Sequence, residues 1–156
     1  MKNFFKLIGS IILCELVGIV SVLFTIASIP TWYRSLNKPF FSPPNWVFGP
    51  VWTMLYFLMG VSLYLVWKRG VNKKTRTALL YFFIQLGLNF LWSAVFFGFH
   101  LPLVAFINIV FLWLAIFVTI LKFYQLSKSA AYLLIPYILW VSFASALNFS
   151  IVVLNR

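Results

Sequence analysis

Lysine and arginine are spaced along this chain so that four long intervals hold no basic residue: Leu7–Tyr33, Pro39–Trp67, Thr77–Leu121 and Ser129–Asn155. They contain 27, 29, 45 and 27 residues, and a helix that crosses the hydrocarbon of a bilayer needs roughly 20 apolar ones. The third interval has room for two crossings. Gly98-Phe99-His100-Leu101-Pro102 near its middle supplies the turn, because proline can open a helix but breaks its interior. The predicted fold class is all-α, a bundle of five transmembrane helices over about residues 4–29, 43–67, 77–97, 103–123 and 130–154. They form a single integral membrane domain, 1–156, with no internal repeat or low-complexity tract. Apolar residues make up 64% of the chain, charged residues 8%, and mean hydropathy is +1.05, so a soluble domain of this size has too little polar surface to cover itself.

Basic residues resist translocation, so their distribution orients the bundle. The N-terminus (Lys2, Lys6), the second connection (Lys68, Arg69, Lys73, Lys74, Arg76) and the fourth (Lys122, Lys128) carry nine of them, against three (Arg34, Lys38, Arg156) on the opposite side. The N-terminus is therefore expected in the cytoplasm and the first connection outside. The net charge of +11 then reads as topological signal and attraction to anionic lipid. It sits in short turns, which argues against a nucleic-acid partner. The first 24 residues begin like a secretory signal, but the apolar run is too long and Glu15 interrupts it, so a retained first helix is expected. Cys14 is alone and within a span, which leaves no disulfide framework.

The first connection, Trp32 to Trp52, is dense in tryptophan, proline and glycine where a few polar residues would join two spans. Rigid aromatic surface of this kind suits a lid over an apolar cavity, because large rings bury area with little rotamer entropy to lose. Ser42-Pro43 reads as the cap and first residue of the second helix, and Gly49-Pro50 as a kink in its first turns. In the first helix Cys14, Gly18, Ser21, Thr25 and Ser28 form a stripe of small residues that lets neighbours approach. The third places Gln85, Asn89, Trp92 and Phe96 on one inward face, and the fifth does so with Trp140, Ala144, Leu147 and Asn148, with Pro136 bending its early turns. The fourth has only Asn108 and Thr119 as polar anchors, so it is expected to show a broad apolar face to lipid or a second copy.

Two readings stand for each candidate group. Trp52 and Tyr56, one turn apart, either wall a pocket together with Trp140 and Ala144 or belong to an interfacial aromatic belt. Gln85 and Asn89 either bond a ligand or tie helices together, at about 1 kcal/mol per interhelical amide; Asn148 reads as structural. Glu15 is the sole acid, which excludes paired-carboxylate hydrolysis, aspartate-dependent triads and carboxylate magnesium sites. An ionisable group in a span is a functional suspect, and the alternative is a neutral group bonded to a neighbouring helix. His100, the only histidine, lies in a turn on the same side as the lid, a poor place for a metal ligand, and no metal site is expected.

The sequence resembles the TspO/MBR family, the tryptophan-rich sensory proteins of bacteria and the mitochondrial translocator protein. The residues that carry the resemblance begin with Trp32-Tyr33, Leu36, Lys38-Pro39, Pro43-Pro44, Trp46-Val47, Gly49-Pro50-Val51-Trp52, Leu55-Tyr56, Met59-Gly60 and Tyr64 to Lys68. They continue with Gln85-Leu86, Leu88-Asn89, Trp92, Phe96-Phe97-Gly98, Pro136-Tyr137, Trp140, Phe143 and Leu147-Asn148. The resemblance implies a five-helix bundle, commonly dimeric, whose first loop caps an interior cavity. It implies binding of porphyrins such as protoporphyrin IX and haem, as ligands rather than required cofactors, and of isoquinoline-carboxamide and benzodiazepine drugs. A bacterial cell membrane is the implied location.

On that resemblance the ligand site is expected to comprise Trp32, Pro44, Phe48, Trp52, Tyr56, Gln85, Asn89, Trp92, Trp140, Phe143, Ala144 and Leu147, with Arg34 and Lys38 in the lid facing a porphyrin's propionates. An enzyme that breaks porphyrin down in light and oxygen, with Trp52 and Trp140 as the catalytic residues, and a tetrapyrrole transporter are the alternatives. Coupled transport normally draws on several buried acids, and this chain has one. The positions aligned with the family's cholesterol motif read Phe149 and Val153 in place of Tyr and Arg, which removes the resemblance's support for sterol binding.

Overall fold

The computed structural model describes residues 2–156, without the side chain of Lys2, one of the basic residues counted for orientation. Five helices are long and apolar enough to cross a membrane: Asn3–Ser28, Asn45–Trp67, Lys73–Gly98, Pro102–Tyr124 and Lys128–Leu154. In detail the elements are α1 (Lys2–Ser28), α2 (Trp32–Ser35), a 3₁₀ turn (Asn45–Val47) leading into α3 (Phe48–Trp67), α4 (Lys73–Ser93) passing into a π-helical turn (Ala94–Gly98), α5 (Pro102–Tyr124), α6 (Lys128–Leu133) and α7 (Ile135–Leu154). No strand is found among the described residues.

Three details depart from the sequence reading. The second span does not open at Ser42-Pro43. Pro44 is extended, at φ −57° and ψ 144°, and winding starts at Asn45. A proline also holds the residue before it out of the α-region, so Pro44 keeps Pro43 from being a first helical residue. The third span starts earlier than residue 77, at Lys73, because the Asn72 side chain accepts a 3.0 Å hydrogen bond from the Thr75 N–H and caps the helix. The fifth span is divided at Leu134, two residues before Pro136, whose missing N–H cannot close a regular helical bond.

The helices close into a ring in which α1 packs on α3 and α4, α4 on α5, α5 on α7, and α3 on α6. The small stripe of α1 faces inward: Ser10, Cys14, Ser21 and Ser28 are buried. Its tightest contact comes from α3, where a Cβ on Gly60 would lie 2.6 Å from the Ile11 Cα. There the two backbones touch with no side chain between them. Further toward the lid a Cβ on Gly18 would meet the Tyr56 ring at 2.5 Å, so a ring separates α1 from α3. The two helices are therefore wedged apart at the lid end. On α5, Ala105, Ile109, Leu112 and Ile116 are buried while Val104, Ile107, Phe111 and Leu114 are exposed, which gives the outward apolar face.

Candidate functional site

The wedge between α1 and α3 encloses a cavity of about 350 Å³. From α1 it is lined by Glu15, Gly18, Ile19, Ser21, Val22, Thr25 and Ile26, with Ile29 just beyond the end of that helix, and from the lid and α3 by Asn45, Trp46, Phe48, Gly49, Trp52, Thr53 and Tyr56. Asn89, Trp92, Ser93 and Phe97 close it from behind. Glu15, Tyr56 and Asn89 mark its deep end, and Ile29 and Asn45 the end at the lid. At 1.5 Å per residue the α1 wall from Glu15 to Ile29 is about 20 Å long. Ile19, Val22, Ile26 and Trp46 are exposed, so the mouth opens sideways between α1 and α3, toward lipid.

Trp52 stands at the centre of the aromatic wall. Its ring lies 5.7 Å from Tyr56, 6.2 Å from Trp92 and 6.4 Å from Tyr137, centroid to centroid. On the other side of this wall a second void of about 20 Å³ is lined by Tyr33, Trp140, Ala144, Leu147, Asn148 and Ile151. Phe48, Trp52, Trp92 and Phe97 border both spaces. The second void has room for roughly one water molecule, and the Tyr33 hydroxyl and Trp140 Nε1 are buried without a partner. Burial pushes the Tyr33 phenol above its ordinary pKa, so it remains a neutral donor at neutral pH.

The polar groups of the core are mostly committed to one another. Tyr56 Oη donates to Asn89 Oδ1 at 2.5 Å, Asn89 Nδ2 to Tyr137 Oη at 2.9 Å, and Tyr137 Oη to Gln85 Oε1 at 2.8 Å. This chain ties α3, α4 and α7 together through Gln85 and Asn89, and Asn89 also lines the larger cavity. Asn148 accepts from Trp92 Nε1 at 3.1 Å and donates to the Pro102 carbonyl at 2.9 Å, which makes it the structural amide.

The lid is pinned along its length. Trp32 stacks on His100 at 4.4 Å, and His100 Nε2 lies 3.1 Å from Ser28 Oγ, which itself donates to the Phe97 carbonyl. His100 takes φ 57° in this turn and does not line the cavity. Tyr33 is buried against Phe48, Phe96 and Phe97. Asn37 N–H donates to Asn155 Oδ1 and Asn155 Nδ2 to the Asn37 carbonyl, both at 2.9 Å, which fastens the lid to the end of α7. Lys38 Nζ donates to the Tyr33 carbonyl at 2.9 Å and closes the C-terminus of α2.

Of the residues singled out in the sequence, the structure gathers Phe48, Trp52, Tyr56, Asn89 and Trp92 around the larger cavity. Trp140, Ala144 and Leu147 lie across the wall at the smaller void. Trp32, Pro44, Gln85 and Phe143 line neither space, and Phe143 packs on Trp140 at 5.3 Å. Arg34 is exposed and Lys38 is engaged by the backbone. The α1 share of the cavity was not anticipated. Its signal in the sequence is the small stripe of Gly18, Ser21 and Thr25, which reads as a packing surface, and small residues serve either purpose.

Comparison with known proteins agrees with this architecture. Residues 10–154 match the TspO/MBR family. The "Tryptophan-rich protein TspO" of Archaeoglobus fulgidus is 49% identical over 153 residues, covering 98% of this chain and 99% of that protein. The human "Translocator protein" is 40% identical over 122 residues, covering 77% and 72%. The "Protein CrtK" of Rhodobacter capsulatus is 36% identical over 145 residues, covering 91% and 88%. With a family match across nearly all of its length and five helices able to span a bilayer, the chain is an integral membrane protein of the TspO/MBR family.

Proposed function

We propose that this protein is a membrane receptor for planar apolar ligands, porphyrins such as protoporphyrin IX and haem foremost, and isoquinoline-carboxamide or benzodiazepine-type drugs besides. One observation carries the reading: an aromatic-walled cavity of about 350 Å³ opens toward lipid beneath the Trp-rich lid. A space of that size falls within the range of small-molecule sites, and flat walls of Trp52, Phe48 and Trp92 suit a flat ligand. Porphyrin is here a ligand and no cofactor is required. In this reading the protein works as a homodimer in a bacterial cell membrane, with the N-terminus in the cytoplasm and the lid outside, as the nine-to-three distribution of basic residues supports.

The test is a titration of the purified protein with protoporphyrin IX in dim light, followed by tryptophan quenching, then illumination while the absorption spectrum is recorded. Trp52→Phe and Trp140→Phe are carried alongside. Saturable binding, weakened in Trp52→Phe, with a spectrum identical to that of a protein-free control, is expected of a receptor. A protein-dependent product that is lost in both variants makes the protein an enzyme instead, and movement of porphyrin across sealed vesicles makes it a transporter. Absence of saturable binding overturns all three readings.

A further inference from the structure

Along the walls of the cavity most polar side chains are satisfied from within the protein. Tyr56 and Asn89 belong to the chain that ends at Gln85. Ser21 Oγ donates to the Val17 carbonyl, Thr25 Oγ1 to the Val22 carbonyl, Thr53 Oγ1 to the Gly49 carbonyl and Ser93 Oγ to the Ser21 carbonyl. Glu15 is different. It lines the same cavity, it is the only acid of the chain, and among the described residues it forms no hydrogen bond or ion pair, although Tyr56 and Cys14 lie near it. It sits near the middle of α1, a helix long enough to span a bilayer, and its side chain is half-buried at the cavity. A carboxyl group left alone at such depth costs free energy, and a donor that reaches it removes that cost.

We propose that Glu15 is a specificity-determining residue that selects ligands bearing an N–H donor, above all a protonated amine, on the end of the planar body that enters first. The inference rests on the receptor reading and adds an orientation to it. The nitrogen lies at the floor beside Glu15, and any acidic substituent stays at the lid end, where like charge does not oppose it. Ile19, Val22 and Ile26, which follow Glu15 up the same side of α1, form an apolar slide from the lateral mouth to the carboxyl group. Among the described residues no other charged side chain lines the cavity, so discrimination by charge falls to Glu15.

Three acridines with one ring system test this on the full-length protein in lipid nanodiscs: 9-aminoacridine, which is cationic at neutral pH, acridine, which is neutral, and acridine-9-carboxylate, which is anionic. Their partition into lipid cancels when wild type and variant are compared. Glu15→Gln is expected to weaken 9-aminoacridine about tenfold, the value of one charge-assisted hydrogen bond. It is expected to leave acridine within twofold and to strengthen the carboxylate. Glu15→Asp, which keeps the charge, is expected to retain the order of preference and guards against a folding defect in the amide. Equal effects on all three ligands, or none on the amine, overturn the proposal. If protoporphyrin IX and neutral acridine bind wild type while Glu15→Gln changes nothing, the receptor reading stands and only the role of Glu15 falls. If neither binds, both fall.

Discussion

The two sides of the Trp52 wall are built from the same rings and have opposite outcomes. Toward α7 the space has closed to about 20 Å³, because Trp140 packs on Phe48 at 6.1 Å and on Phe143 at 5.3 Å. Toward α1 it stays open at about 350 Å³, because α1 presents Gly18, Ser21 and Thr25 where α7 presents a tryptophan. A void in hydrocarbon is not held open by weak attraction across it; it needs a spacer and a clamp. Here the Tyr56 ring against Gly18 is the spacer, and the contact of Gly60 with the Ile11 backbone is the clamp that seals the inner end.

Breaking the clamp has the largest expected effect. In Gly60→Val the new side chain meets the α1 backbone, which cannot yield as a flexible side chain would. A loss of about 3 kcal/mol is expected from overpacking a helix contact of this kind, read as lowered thermal stability in detergent. An unchanged midpoint would mean that α1 already stands off α3 and that the wedge is not set by Gly60.

Next comes a direct contrast between the two sides. Thr25→Trp places an indole inside the α1-side cavity and is expected to weaken protoporphyrin IX binding tenfold or more, on the scale of about 1.4 kcal/mol per decade. Ala144→Leu fills the void toward α7 and is expected to change affinity less than twofold. The reverse pattern would move the ligand across the wall to Trp140 and Ala144. Both are measured by the same quenching titration.

A smaller effect is expected from Tyr137→Phe, which removes the hydroxyl joining Asn89 Nδ2 to Gln85 Oε1. Gln85 Nε2 already lacks a partner, so the variant leaves the whole amide unbonded. The expected cost is about 1 kcal/mol, seen in thermal unfolding, with ligand affinity nearly unchanged because the ring remains. A collapse of affinity at unchanged stability would show that Gln85 and Asn89 act on the ligand.

These contrasts also mark what the sequence could convey. Five spans were legible because gaps between lysines and arginines follow bilayer thickness. Trp52 and Tyr56 were legible as neighbours because they sit one helical turn apart. The side of the wall that stays open was not legible, since small residues on α1 serve close packing and cavity lining alike. The start of the third span was missed although Asn72 two residues before Lys74 and three before Thr75 is a recognisable cap. The π turn at Ala94–Gly98 lies where distant contacts reach the helix, Ser28 with the Phe97 carbonyl and Gly98 against Phe24, and no local pattern encodes those.

The smallest effect concerns the latch between Asn37 and Asn155, 118 residues apart. Asn155→Ala removes both bonds to the lid and one to the Ile151 carbonyl, but the site is exposed and water replaces them. The expected loss is about 0.5 kcal/mol. Its use lies in the ligand's release rate. The latch holds the lid at the end of α7, whereas the cavity mouth lies between α1 and α3. A ligand that leaves sideways into lipid passes Ile19, Val22 and Ile26 without lifting the lid. Stopped-flow release of protoporphyrin IX from Asn155→Ala is therefore expected to match wild type within twofold. A markedly faster release would show that the lid must rise, and that the two sides of the wall communicate through it.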